Sequence, residues 1–423
     1  MAMRGRWRWG RFAVAAMLAL AAPAIAAPLA SPDRLADVAD LDEDPFPAFD
    51  DFAWRAFLAL NWPAASPGEP DRAARPGDGG ARVWETFAPR DALVNANSCN
   101  AVTSEKSVSS AVPYAEFNQT SFDPGKPDSP LVARNGTYVR YETRFNAAAF
   151  DALRATPGPM PAPEGATAVK AAWRVLTFAD SAAVRARYYV AKDAWVTDVA
   201  ASRASGHIVC ARADLALVGL HIVVRTKSQP QGIWATFEHI DNVPPVGLGE
   251  GREPDARAEG ASFAFNNPRD QQNEISPPRG WAITAPVSAD NPPRLNPTPT
   301  QVIRKHPIRR EIMAANRAYW ALPDIAGSVW RRYMLASVQW PTVIAPRGPD
   351  NDGRYFPGLK TEPNSKAAKY KVDEANELRN LVNSVMETYG QDPPASCMAC
   401  HHAVSNARGY DFVGVFGAAP ARN

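Results

Sequence analysis

Alternation of apolar and polar residues in the middle of the chain predicts a group of β-strands. Residues 137–143, 168–176 and 186–191 are short apolar or alternating runs, and turn-forming residues bound each of them. Residues 214–225 and 232–241 have the same character, and a short polar connection joins them into the clearest hairpin. Five such runs so close together in the sequence favour an antiparallel sheet.

Helical periodicity flanks this β-rich middle. Near the start of the chain one helix is predicted to begin at Asp50 or Asp51, whose carboxylate can cap the first turn. Toward the other end we predict helices at Gln301–Leu322 and Asp324–Val338. The longest predicted helix, Ser365–Tyr389, presents an apolar stripe along one side.

Forty prolines among the 423 residues place long loops between these elements, because proline interrupts helices and sheets. Apolar residues make up 46% of the chain, enough for the core of one large domain or two ordinary ones. The predicted fold class is therefore α+β, an antiparallel β-sheet core with peripheral helices and long Pro-rich loops. We assign residues 1–26 to a signal peptide, 27–300 to the α+β domain with the sheet, and 301–423 to a helical region.

The first 26 residues have the arrangement of a bacterial export signal. Four arginines precede the apolar run Phe12–Ala22, and Ala24-Ile25-Ala26 is a small-x-small cleavage site. The run is too short for a transmembrane anchor, so we expect a cleaved, periplasmic protein with no stable membrane span; an uncleaved amphipathic anchor is the alternative. Cleavage changes the formal charge from +2 to −2, and no basic stripe remains that would favour nucleic acid.

The most specific chemical signal is the sequence Cys397-Met398-Ala399-Cys400-His401. C-x-x-C-H is the attachment signature of c-type haem. Two thiols one helical turn apart can form thioethers with the two vinyl groups of one porphyrin, and the next residue brings an imidazole to the iron. We therefore predict one covalently bound haem c in a C-terminal haem-binding segment, with Cys397 and Cys400 as attachment residues and His401 as the proximal iron ligand.

A zinc site and a thioredoxin-like redox pair fit the cysteines of the C-x-x-C-H sequence less well than haem attachment does. A zinc site would need further ligands, and no Cys or His follows His402. A thioredoxin-like pair would need a strand before the first cysteine, and Gln391–Ser396 has the composition of a loop. Cys99 and Cys210 remain, and in an oxidising compartment they are predicted to form a disulfide; two separate buried thiols are the alternative.

The predicted hairpin carries two histidines that are candidates for the distal side of the haem. If Arg225 pairs with Ile233, His221 stands opposite Phe237, and His239 is its diagonal neighbour on the same face. A shift of one residue places the two histidines on opposite faces, and two hydrogen-bonded structural histidines are the alternative. Other candidates for a sixth iron ligand lie upstream of the motif: Met386, which is equally suited to core packing, Met334 and His306.

The end of the chain resembles the cytochrome c′-beta superfamily of sheet-based c-type haem proteins, in Cys397-Met398-Ala399-Cys400-His401 followed by Asp411-Phe412-Val413. Residues 169–173, 219–223 and 234–242 are similar to exported bacterial proteins described only as a cytochrome c family. These resemblances imply haem and export but supply no substrate. In the enzymatic c′-beta members a lysine cross-links the porphyrin, and the resemblance leaves two candidates for that position, Lys170 and Lys227.

Two classes of function follow from one tethered haem. The first is a periplasmic monohaem c-type cytochrome that transfers single electrons to or from a redox protein partner. The second is a haem enzyme with an open distal site that oxidises a small-molecule substrate, or a protein that binds a gas or another ligand there. In the second class, the hairpin histidines and Glu238 are candidates for proton transfer.

Overall fold

An antiparallel sheet organises the fold. The computed structural model describes residues 30–34, 37–38, 46–90, 92, 131–155, 163–198, 201, 205, 209–229, 232–246, 263–267, 298–340, 382–391 and 397. In chain order the strands are β1 (Ala64–Ser66) and β2 (Glu69–Pro70), which pair with each other, then β3 (Ala88–Pro89), β4 (Arg140–Phe145), β5 (Thr167–Val175), β6 (Val190–Thr197), β7 (Cys210–Val224), β8 (Ile233–His239) and β9 (Tyr333–Gln339). The large sheet has the order β3-β4-β5-β7-β8-β9, and β6 pairs with the first half of β7.

Short helices surround this sheet, which confirms the predicted α+β class. They are α1 (Phe46–Leu60), α2 (Ala147–Ala155), α3 (Ala182–Arg185), α4 (Arg310–Trp320) and α5 (Pro323–Ala326), with single 3-10 turns at Val83–Thr86 and Val329–Arg332. None of the helices in the described ranges is long and apolar enough to cross a membrane.

One face of the sheet, which we call the helix face, packs against α1 and α4. Phe237 on β8 stacks on Phe57 of α1, with 4.2 Å between the ring centroids. Trp54 of α1 contacts the Phe237 ring edge-on, with 5.2 Å between the centroids. The indole N–H of Trp54 donates to Asn316 on α4 at 2.9 Å, which fixes the two helices together. Each of these buried aromatic side chains contributes about 1.5–3 kcal/mol through burial alone.

Helix α1 begins a turn earlier than the sequence predicted. Its first residue is Phe46, and Pro47 is compatible with the first turn because that position needs no N–H donor. Asp50 does not cap the helix; it is fully buried, and its Oδ1 lies 3.6 Å from Nη2 of Arg309.

The predicted helix Asp324–Val338 is wrong in its last six residues, because residues 333–339 form β9; before them lie the end of α5 and the 3-10 turn Val329–Arg332. The strand directly follows the 3-10 turn Val329–Arg332, so no turn-forming residue marks its start in the sequence. β9 pairs with β8 and therefore extends the same sheet.

The predicted helix Ser365–Tyr389 is also wrong in its described part, because residues 382–391 form turns. Residues 365–381 of the predicted helix lie outside the described part of the chain. We call residues 382–391 the strap. The side-chain Oδ1 of Asn383 accepts the N–H groups of Val385 and Met386 at 3.0 and 3.1 Å. This local bond competes with helical hydrogen bonding and explains the turn.

The hairpin of β7 and β8 is confirmed, but its register is one residue away from the assumed one. Val224, not Arg225, pairs with Ile233, so His221 pairs with Thr236. The apolar side chains of both strands then reach the helix face together, and burial of that face sets the register. As a consequence, the expectation that His221 and His239 share a face is wrong.

Candidate functional site

The strap lies on the second face of the sheet, which we call the strap face. Buried polar contacts hold it there. Glu238 on β8 accepts the N–H of Ser384 at 2.8 Å and forms an ion pair with Arg304, and both charged side chains are almost fully buried. Arg304 also donates to the carbonyl of Val382 at 2.7 Å. The side-chain amide of Asn383 donates to the carbonyl of Phe237 at 2.9 Å. The strap is therefore fixed by its own polar groups and by a buried ion pair.

A glycine on β7 lets the strap approach the sheet closely. A Cβ atom at Gly219 would lie 2.7 Å from Cγ2 of Val385 and 3.1 Å from Cγ of Met386. Tyr141 on β4 donates from its hydroxyl to the carbonyl of Val385 at 2.8 Å. Met386 is thus packed against β7 as a fully buried core residue, which is the alternative that the sequence left open for it.

Five polar side chains form one row across the strap face. Thr143 pairs with Lys170, Lys170 with His221, His221 with Thr236, and Thr236 with Ser337. Directly paired residues of neighbouring strands point to the same side of a sheet. All except His221 are buried, and buried polar groups carry a large desolvation cost unless they find partners. The strap supplies part of these partners, because Nδ2 of Asn383 donates to Oγ1 of Thr236 at 2.7 Å.

The strap contributes an acid to this row. Nε2 of His221 lies 2.5 Å from Oε1 of Glu387, whose side chain is 8% exposed. The other carboxylate oxygen of Glu387, Oε2, is buried and has no hydrogen-bond partner in the described part of the chain. Across the sheet, Nζ of Lys170 lies 5.5 Å from the centre of the Tyr141 ring. A histidine and a carboxylate in contact, with one oxygen still to be satisfied, can bind a donor group and exchange a proton with it.

Cys397 lies beside the next row of the strap face. Its backbone N–H donates to Oε1 of Gln339, the last residue of β9, at 2.8 Å. Its side chain packs against an apolar cluster that includes Phe145, Val223 and Trp234. Trp234 and Gln339 are register partners, so the cysteine lies one row away from His221 and Lys170. Cys397 is not part of a disulfide.

Gln339 itself is fully buried, and only half of its amide is satisfied. Oε1 accepts from Cys397, whereas Nε2 has no acceptor within the described ranges. The amide orientation follows from the chemistry of this contact, because the N–H of Cys397 can bond only to an acceptor.

His239 lies outside this site. It is fully buried near the end of β8, its ring stacks on Tyr188 at 4.0 Å, and Nδ1 accepts the N–H of Asp241 at 3.1 Å. Nε2 bonds to the carbonyl of Arg187 at 2.9 Å and must therefore carry the proton. Burial lowers the pKa of His239 to about 4. With both nitrogens occupied, His239 is a structural histidine.

The remaining predicted site residues are described in part. Cys210 is disulfide-bonded, but Cys99 lies outside the described residues, so their pairing stays a prediction. Cys400 and His401 also lie outside them. Lys227 lies in the turn that follows β7 and is exposed, whereas Lys170 belongs to the polar row.

Two residues of the site were missed by sequence reasoning, one just after a segment that was predicted as helix and one inside such a segment. Gln339 was placed just after the wrong helix Asp324–Val338, and Glu387 inside the wrong helix Ser365–Tyr389. A signal for the row was present at Lys170 and Thr236, which have apolar neighbours on both sides, but not at Thr143, which lies between Glu142 and Arg144.

The strap face suits a haem in the chemistry of its side chains. A porphyrin has apolar faces and carboxylate edges, and this face offers an apolar cluster next to Cys397 together with the donors Lys170, His221 and Gln339. Among the described residues there is no group of three or more side chains that would bind a bare metal ion.

Comparison with known proteins finds no matching family model, no matching curated protein and no matching solved structure. The resemblances drawn from the sequence therefore stay expectations.

Proposed function

We propose that this chain is an exported c-type cytochrome that carries one covalent haem and transfers single electrons to or from a redox protein partner. The observation that carries the proposal is the position of Cys397. The first cysteine of a C-x-x-C-H sequence contacts a sheet face that is lined by buried donors, a buried unpaired amide nitrogen and a small apolar cluster.

Each part of the motif has a separate role in the proposal. Cys397 and Cys400 attach the porphyrin, and His401 binds the iron. The bound haem supplies one-electron chemistry by alternating between the ferric and ferrous states. The sheet face would exclude water from one side of a bound haem, and Lys170 and Gln339 would be the donors for its acceptors. Burial and nearby hydrogen bonds of this kind are the means by which a protein adjusts a haem potential.

Covalent attachment is the direct test. The full chain with its signal is expressed in a bacterium that matures c-type cytochromes, and the periplasmic protein is extracted with acidic acetone, which removes haem that is not covalently bound. We expect retained haem in the wild type and in the matched control Met398→Ala, reduced retention in Cys397→Ala and Cys400→Ala, and an altered iron spectrum in His401→Ala. A folded periplasmic wild type without retained haem would refute the proposal.

The contact between His221 and Glu387 supports a second candidate function, a haem enzyme or ligand-binding protein with an open distal site. An electron carrier has no need of a proton-exchanging pair, whereas oxidation of a small molecule releases protons that a base must accept. The visible spectrum separates the two candidates. Low-spin bands in both oxidation states indicate six ligands and electron transfer. A high-spin ferrous form that binds carbon monoxide indicates the open site.

A further inference from the structure

We infer that Gln339 is the positioning residue for haem attachment: its Oε1 fixes Cys397 before the porphyrin arrives, and its Nε2 then donates to an acceptor of the attached group. The inference rests on the proposed function, because it assigns a role to a residue that lies far from the motif in sequence and meets it only in the folded chain.

The first part of the inference concerns the hydrogen bond that Oε1 of Gln339 accepts from Cys397. Gln339 is fully buried at the end of β9, so the strand on one side and the apolar cluster of Trp234 on the other restrict its side chain. A buried 2.8 Å bond to the N–H of Cys397 therefore holds the backbone at the first residue of the motif. Such fixation matters because correct placement of a reacting group lowers the entropic part of its barrier.

The second part concerns Nε2 of Gln339, which has no hydrogen-bond acceptor within the described ranges. A buried amide N–H without an acceptor is unfavourable, and native structures avoid it unless water or a ligand completes the bond. Nε2 belongs to the same amide that contacts Cys397, so a group attached to that cysteine lies within its reach. Haem c brings suitable acceptors, namely its propionate carboxylates and its thioether sulfurs.

The covalent step needs no oxidant or reductant. The Cys397 thiol adds across a porphyrin vinyl group: sulfur bonds to the carbon next to the ring, and the thiol hydrogen is transferred to the terminal carbon. The requirement is a reduced thiol in a defined position. In the structure Cys397 is not disulfide-bonded and packs against the apolar cluster.

The test uses the full chain and two readouts, of which only one needs haem. In haem-free protein, the alkylation rate of Cys397 is measured by peptide mass spectrometry. In matured protein, the share of porphyrin linked through Cys397 is measured in the same way. The variants are Gln339→Leu, which removes both polar atoms, and Gln339→Glu, which keeps an acceptor for Cys397 but no donor. Lys192→Met, at an exposed position of β6 outside the polar row, is the control.

We expect Gln339→Leu to raise the alkylation rate of Cys397 by about three- to tenfold, the change that corresponds to loss of one net hydrogen bond, and to shift porphyrin attachment toward Cys400 alone. Gln339→Glu should keep slow alkylation and change the spectrum of the attached haem. Lys192→Met should behave as wild type. If Gln339→Leu lowers the melting temperature sharply, Gln339→Met repeats the test with a side chain of similar length and flexibility.

Wild-type alkylation together with wild-type attachment in folded Gln339→Leu or Gln339→Met would overturn the inference. Absence of porphyrin from wild-type protein would instead refute the proposed function, and the alkylation rates would still decide whether Gln339 holds Cys397.

Discussion

The buried ion pair between Glu238 and Arg304 is the contact whose loss should most affect the strap. Glu238→Gln leaves the guanidinium of Arg304 without its partner in a position where the side chain is only 1% exposed. Removing one member of a buried pair typically costs about 3–5 kcal/mol, because the remaining charge is still desolvated. Ser384 and Val382 depend on the same two side chains, so we expect a cost in this range.

A double-mutant cycle separates the ion pair from its surroundings. Arg304→Met removes the second charge, so Glu238→Gln combined with Arg304→Met should be less destabilised than the two single variants added together, by about 2 kcal/mol. The free energy of unfolding is measured with urea at pH 7. Arg72→Met is the matched control, because Arg72 pairs with Asp33 at the surface with both side chains more than half exposed, and water and salt screen such pairs.

The reasoning would be refuted if Glu238→Gln cost no more than Arg72→Met, or if the effects of the two buried substitutions were additive. Either result would mean that the remaining contacts, among them those of Asn383 and Tyr141, hold the strap without the ion pair.

Two further predictions concern other parts of the fold. Gly219→Ala should cost about 1–3 kcal/mol, because its Cβ would lie 2.7 Å from Val385; Val385→Ala in the same chain should recover part of this loss, and unchanged urea midpoints would contradict it. His239 has a pKa lowered to about 4 by burial, so its contribution to stability is present above about pH 6.5 and is lost as pH falls through 4. Between pH 7 and pH 4.5 the wild type should therefore lose about 2–3 kcal/mol more than His239→Gln, and equal losses would show that His239 is not held neutral.

The sequence predicted the strands that turn-forming residues separate from their neighbours. β4, β5, β7 and β8 were found because turn residues bound them and their polar and apolar positions can be told apart. β9 was missed because it directly follows the 3-10 turn Val329–Arg332, and no turn-forming residue separates the strand from the helical residues before it. The hairpin register was missed by one residue because a long connection does not fix it, and burial of the helix face does.

Of the residues that contact one another in the candidate site, the sequence pointed most clearly to His221 and Cys397. His221 stood out as a lone titratable residue in an apolar strand, and Cys397 stood out in its motif. Gln339 and Glu387 gave no such signal, because their roles arise from the strap and the last strand meeting on one face. That meeting depends on Asn383 and Gly219, whose effect on the backbone is a tertiary contact rather than a local pattern.

The mass of the peptide that contains Cys397 and Cys400 tests the central claim most directly. The exported wild-type protein is digested after acidic acetone extraction, and the masses of its peptides are compared with those of the unmodified sequence. We expect one porphyrin per chain, linked to both cysteines of this peptide. Unmodified thiols at both positions in folded, exported protein would contradict it.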